Sequence, residues 1–145
     1  MKSRRFLPAM ITLAAAVGCS SAGGEPPESL ADPGSPVVDV VYLDHSPVRS
    51  AVAEVDEVLR RYEGDITIRR HAADSEEGQE LAERNGASGH VVLLVLIDGE
   101  SDIAVDGRMV RFEGFPVGTA PVASAQGEWS VDMLDTALAD QVGPS

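Results

Sequence analysis

Cysteine is almost absent from this 145-residue chain, because Cys19 is the single one. One thiol cannot form a disulfide within the chain, and it cannot supply the pair of thiols that disulfide exchange requires. The composition therefore excludes a dithiol oxidoreductase. No other catalytic constellation is found in the sequence, and we do not expect an enzyme.

Basic residues are also scarce, with 11 lysines and arginines against 24 acidic residues and a formal net charge of −13. A surface this acidic repels nucleic acid and anionic lipid headgroups. The arginine pairs at residues 60–61 and 69–70 are too sparse to form a basic patch. We expect no nucleic-acid partner.

Long hydrophobic runs are missing as well. The longest, residues 6–17, has twelve residues and follows Lys2, Arg4 and Arg5. A membrane-spanning helix needs about 20 residues, whereas a short apolar run behind basic residues is typical of a secretory signal. Removing this signal takes away three basic and no acidic residues, so the charge of the remainder becomes −16.

The signal ends in A-V-G-C at residues 16–19, which resembles the lipobox of bacterial lipoproteins. The resemblance implies a signal peptide over residues 1–18 and acylation of Cys19, with diacylglyceryl and palmitate chains holding the protein on a lipid bilayer. Several acyl chains give stable anchoring, where one gives only marginal binding. The alternative is an ordinary signal peptide with a chance cysteine.

Residues 19–36 are predicted to be the lipidated cysteine and a flexible linker, because eleven of residues 20–36 are Gly, Pro or Ser. Ser20 stands where sorting signals carry aspartate. By the same resemblance, this favours an extracytoplasmic location on the outer membrane, facing the periplasm, in a cell with two membranes.

A single α/β domain is predicted over residues 37–145, with no internal repeats. Ser46 is interpreted as the N-cap of the first helix and Pro47 as its first residue, with an apolar face behind them. The predicted elements are strand 37–43, a helix from Ser46, strand 65–71, a short helix after Asp74 or Ser75, the wholly apolar strand 91–97, antiparallel strands near 102–105 and 108–112, and a helix after Ser130.

The segment D-H-S-P-V-R, residues 44–49, and the segment G-H-V-V-L-L-V-L, residues 89–96, carry a second resemblance. They are similar to the W-C-G-P-C-K segment of thioredoxins and to the G-I-P-T-L-L-L-F segment before their central strand. The resemblance implies a thioredoxin-like β-α-β-α-β-β-α fold, with a central mixed sheet and helices on both faces. It also puts Asp39 near the buried acid of that family.

The departures from the family fall on its chemistry. His45 and Val48 stand where the two cysteines of the CxxC motif would be, and Val91 replaces the cis-proline. A cis bond before a residue other than proline costs about 2.5–4 kcal/mol, so we expect a trans bond before Val91. Redox activity therefore does not transfer with the fold.

The expected site consists of the two degenerate loops, with His45, Ser46, Val48, His90 and Val91 as candidate ligand-binding residues. We expect no cofactor, and a binding or accessory module with a protein or peptide partner.

The alternative is a metal-handling protein that uses His45 and His90, with Asp44 as a weak third ligand. Two hydrogen-bonded histidines that fill the space left by the cysteines would explain the same residues. Ser46 is explained by capping, and His71 is expected at the surface.

Overall fold

A computed structural model of the protein describes residues 34–87 and 89–143. The expected signal peptide, Cys19 and most of the expected linker lie outside these residues. The chain forms an α/β fold whose elements are β1 (Val37–Tyr42), α1 (Ser46–Leu59), β2 (Thr67–Ala72), α2 (Glu76–Arg84), β3 (Leu93–Ile97), β4 (Asp102–Val105), β5 (Arg108–Arg111) and α3 (Val131–Val142), with 3₁₀ turns at Arg60–Tyr62 and Ala123–Ala125.

The central sheet is mixed, with the strand order β2-β1-β3. Strands β1 and β2 are parallel, with Val37 opposite Thr67, and β3 is antiparallel to β1. The carboxyl ends of β1 and β2 therefore lie beside the beginning of β3, and we call this the upper end of the sheet. Val37 lies at the opposite, lower end, where its N–H donates to Asp98 Oδ1 over 2.8 Å.

A hairpin of β4 and β5 follows β3, and its turn has φ values of 49° at Asp106 and 76° at Gly107. This confirms the turn predicted from the Asp-Gly pair. Beyond β5 the chain continues along β3: Val95 donates its N–H to Phe112 O, and Gly114 donates to Leu93 O, both over 2.9 Å. We call residues 112–114 the return segment.

Helices cover both faces of the sheet. On one face, α1 and α3 pack on Val38, Val40 and Val95 through a large apolar cluster that also contains Phe112 and Trp129. On the other face, α2 packs on Val41, Leu94 and Leu96 through a smaller cluster. The five residues of β3 are all buried, as their uninterrupted apolar run predicts.

The interpretation of Ser46 as an N-cap is wrong. Ser46 is the first residue of α1, and His45 flanks it in an extended conformation, with no capping bond from a side chain. Pro47, the second helical residue, has no N–H, and this removes one of the donors that a cap would satisfy. At α2 the prediction is confirmed, because Ser75 Oγ accepts the N–H of Gly78 over 3.1 Å.

Two strands are shorter at their beginnings than predicted, because β2 begins at Thr67 and β3 at Leu93. The N–H of Asp65 is used by a turn, where it donates to Tyr62 O over 2.9 Å. Among residues 34–87 and 89–143, no helix has both the length and the apolar character needed to cross a bilayer.

Candidate functional site

The two loops that the sequence singles out are neighbours at the upper end of the sheet. Leu43, which follows β1, donates its N–H to Val92 O over 3.1 Å, and this bond joins the start of α1 to the loop before β3. The peptide bond between His90 and Val91 is trans, as predicted. The candidate residues are therefore carried by adjacent stretches of backbone.

His45 and His90 do not line the same cavity. Both side chains are exposed, and His90 borders two cavities at the upper end of the sheet, neither of which is lined by His45. Asp44 forms an exposed ion pair with Arg49, with 3.1 Å between Oδ1 and Nε. Within residues 34–87 and 89–143, no three His, Cys, Asp or Glu side chains are arranged to hold a metal ion.

Ser46 and Val48 also lie away from these cavities. Ser46 is exposed and borders a shallow depression on the outer side of α1, together with Arg49 and Ala53. Val48 is fully buried in the core between α1 and the sheet. Of the five predicted ligand-binding residues, His90 and Val91 are the two that line the cavities.

The edge of β3 becomes open where the return segment ends. Gly114 has a φ of 79°, and a Cβ there would lie 3.0 Å from Ala125 O. A left-handed glycine therefore turns the chain away from β3. Phe115 then bonds to a different segment, donating to Ala125 O and accepting from Gly127 N. Residues 90–92 are left beside a gap, and we call them the open edge.

The gap is a cavity of about 480 Å³. Residues 90–92 form one wall, and residues 124–128 form the other, with Arg111, Glu113 and Gly114 between them. The N–H and C=O groups of His90 make no hydrogen bond with any other residue that the structure describes. Beside His90, Val91 N–H donates to Gly89 O over 3.2 Å and Val92 O accepts from Leu43 N–H. The cavity is therefore bordered by one residue, His90, whose backbone groups are unused.

The guanidinium group at the base of this cavity is paired with two carboxylates. Arg111 donates to Glu113 Oε2 over 2.6 Å, to Asp102 Oδ2 over 2.8 Å and to the backbone oxygen of Asn85 over 2.7 Å. The hydrogen bond to Glu113 raises the pKa of Arg111 above its ordinary value. Since the guanidinium group is committed to these partners, it is not available to bind an anionic ligand.

A second cavity of about 360 Å³ lies on the α2 side of the same backbone. It is lined by His90 and Val91, by Leu43, and by Gln79 and Glu83 of α2. His90 and Val91 thus form a ridge between two hollows, and we call the whole depression the groove. The groove has room for the side chains on both sides of a bound peptide in an extended conformation.

Sequence reasoning missed a polar cluster beneath α2. His71, expected at the surface, is 8% exposed, and its Nε2 lies 2.7 Å from Oδ1 of the fully buried Asp39. The expectation is wrong because α2 covers this face of β2, and no local pattern in β2 shows which face is covered. The acid at position 39 is buried, as the resemblance implies.

No protein-family model matches this chain, and no curated protein matches it in sequence.

Proposed function

We propose that this protein is a membrane-anchored, extracytoplasmic lipoprotein whose thioredoxin-like domain binds an extended segment of a polypeptide and performs no redox chemistry. The anchor is supported by the lipobox-like residues 16–19 and the short apolar run before them. The bilayer is thus one partner, through the acyl chains on Cys19, and the bound polypeptide is the other.

Several features of the fold support the thioredoxin-like assignment. The sheet is mixed, with the parallel pair β1 and β2 and the antiparallel β3, which is consistent with the central mixed sheet that the resemblance implies. The return segment lies antiparallel to β3 in the place of a fourth strand. Helices α1 and α3 share one face of the sheet, and α2 covers the other.

The positions of the former redox centre support a function without thiols. His45 is exposed, whereas Val48 is fully buried and contributes to the core. An imidazole and an isopropyl group cannot exchange disulfides, and no cysteine follows Cys19. We therefore assign this surface a binding role.

The open edge is the observation that carries the proposal. His90 has unused backbone groups, and the return segment ends at Gly114, one position before it would cover residues 90–92. An extended peptide can add to such an edge by main-chain hydrogen bonds, with its alternate side chains entering the hollows on either side. Because Arg111 is already paired with Asp102 and Glu113, we do not expect it to select the peptide by charge.

Site-specific photocrosslinking in the cells that make the protein tests this proposal. A photoreactive amino acid replaces His90 in the full chain, and the matched control carries it at Asp65, which is exposed and precedes β2 at the lower end of the sheet. We expect a discrete polypeptide adduct from position 90 and none from position 65.

A second change separates specific binding from chance proximity. Val91→Pro, added to the chain with the photoreactive residue at position 90, removes the N–H that donates to Gly89 O and reshapes the open edge. The adduct should then disappear, while a folded protein remains by circular dichroism. Equal adducts at positions 65 and 90, or an adduct that survives Val91→Pro, would refute the proposal.

A further inference from the structure

The buried cluster beneath α2 is separate from the groove and has its own chemistry. Asp39 on β1 is fully buried, and its two carboxylate oxygens each accept a hydrogen bond of 2.8 Å from Arg69 on β2. His71, two residues further along β2, places Nε2 2.7 Å from Asp39 Oδ1. A buried carboxylate needs such partners, because leaving water is costly for a charge.

The other ring nitrogen of His71 faces a second acid. Its Nδ1 lies 3.4 Å from Oε2 of Glu77, which is in the first turn of α2 and 68% exposed. A neutral imidazole carries a hydrogen on one nitrogen only. With that hydrogen directed at Asp39, the lone pair on Nδ1 would face the Glu77 carboxylate and repel it. In the protonated ring both nitrogens carry a hydrogen, and Nδ1 then attracts the Glu77 carboxylate instead of repelling it.

The net charge of the cluster depends on whether His71 is protonated. Asp39 on β1 is balanced by Arg69 on β2, while Glu77 contributes the negative charge that faces Nδ1 from α2. Two further charged residues, Asp44 after β1 and Arg70 on β2, line the small cavity beside His71. Protonation of His71 brings the group formed by Asp39, Arg69, His71 and Glu77 to neutrality, whereas deprotonation leaves it with a net negative charge.

Helix α2 connects this cluster to the groove. Glu77 is in its first turn, and Gln79, Ala82 and Glu83 further along the helix line the second cavity. The helix has only nine residues, so an attachment in its first turn affects its whole length. A change in the contact between Glu77 and His71 therefore reaches the wall of that cavity.

We infer that His71 and Glu77 form a pH-sensitive latch, in which protonated His71 holds the start of α2 on β2 and deprotonation releases it. The latch acts on α2 whatever the groove binds. Imidazole is the side chain that ordinarily gains and loses its proton between about pH 5 and pH 8. The latch therefore holds α2 more firmly as the pH falls than as it rises.

Hydrogen exchange on the full chain in detergent tests the latch. Exchange of the α2 amides is measured at about pH 5.5 and about pH 8 and corrected for the intrinsic effect of pH on exchange. We expect about two- to fivefold less protection at the higher pH, because one partner of the pair is exposed and such pairs are weak. The amides of Ala82 and Glu83 should follow those of the first turn.

Two matched variants decide the outcome. Glu77→Gln keeps the size of the side chain but removes the charge, so the pH dependence of protection should disappear. Glu76→Gln makes the same change at the exposed neighbouring position, and it should leave the pH dependence intact. Constant protection in the unmodified protein, a pH dependence that survives Glu77→Gln, or its loss in Glu76→Gln would overturn the inference.

Discussion

Gly78→Ala should destabilise this protein, although the same change stabilises most helices. Alanine ordinarily gains about 1 kcal/mol over glycine inside a helix, because it has less backbone entropy to lose. At Gly78 the added Cβ would lie 2.1 Å from Ala72 O and 3.1 Å from Ser75 Oγ. Ala72 ends β2 and Ser75 immediately precedes α2, and the nearer atom, Ala72 O, is a backbone atom that cannot rotate away.

The magnitude follows from the movement that this overlap requires. Helix α2 must shift by about 1 Å to restore van der Waals contact. Overpacking of this kind costs about 1–3 kcal/mol, and the shift also strains the capping bond from Gly78 N to Ser75 Oγ, which is worth about 1 kcal/mol. After the helix-propensity gain is subtracted, we expect a net loss of about 1–3 kcal/mol.

Urea unfolding followed by circular dichroism measures this loss, and a thermal scan should show a midpoint lower by about 4–8 °C for each kcal/mol. Glu80, an exposed residue of the same helix, provides the control through Glu80→Gly and Glu80→Ala. There the alanine variant should be the more stable by about 1 kcal/mol. A Gly78→Ala protein as stable as the unmodified chain would show that α2 does not rest on Ala72 as described.

The remaining predictions concern the anchor, the missing thiols, metal binding and alkaline stability. Cys19→Ala should abolish palmitate labelling and leave an unprocessed precursor, and labelling that persists would contradict the lipobox interpretation. The protein should neither reduce insulin nor accelerate the refolding of a scrambled disulfide protein, so turnover above buffer would disprove the non-redox assignment. Calorimetry with zinc and with copper should show no submicromolar one-to-one site, and His45→Ala with His90→Ala should change little; tight binding that is lost in this double variant would favour a metal-handling protein instead. Burial and the hydrogen bond to Asp135 raise the pKa of Tyr62, so its contribution to stability is complete below the ordinary tyrosine pKa of about 10 and is lost as the pH rises above that value. Tyr62→Phe should lower the free energy of unfolding by about 0.5–1.5 kcal/mol at neutral pH. In urea titrations, it should also reduce the loss of stability above about pH 10. If that loss is the same in the variant, Tyr62 does not have this role.

Local patterns predict the elements of this fold well. The apolar residues of α1 that recur every three or four positions, among them Val48, Val52 and Leu59, are buried. The Asp-Gly pairs adopt the left-handed conformations that tight hairpins require, with φ values of 51° at Asp98 and 49° at Asp106. These features depend on residues that are close together in the sequence, so local patterns are enough to predict them.

Features that depend on distant pairing could not be predicted in the same way. The burial of His71 depends on Asp39, 32 residues earlier, and on α2 covering that face of the sheet. The larger cavity depends on Phe115 bonding to Ala125 and Gly127, whereas the sequence indicates only a long loop there. For Ser46, local chemistry permits a cap, but the extended conformation of His45 moves the helix start by one residue.

The direction of β1 determines where the groove lies relative to the point at which the linker enters the domain. Val37 receives the chain at the lower end of the sheet, and the groove lies at the other end, about 20 Å away along six residues. With Cys19 in the bilayer, residues 20–36 allow at most about 60 Å of reach. If the domain is anchored as proposed, the groove would lie on the side of the domain farther from the point where the linker enters. A polypeptide within the reach of the linker would then meet the groove at an effective concentration set by the linker, whereas one embedded in the same bilayer would be reached only when the domain rotates.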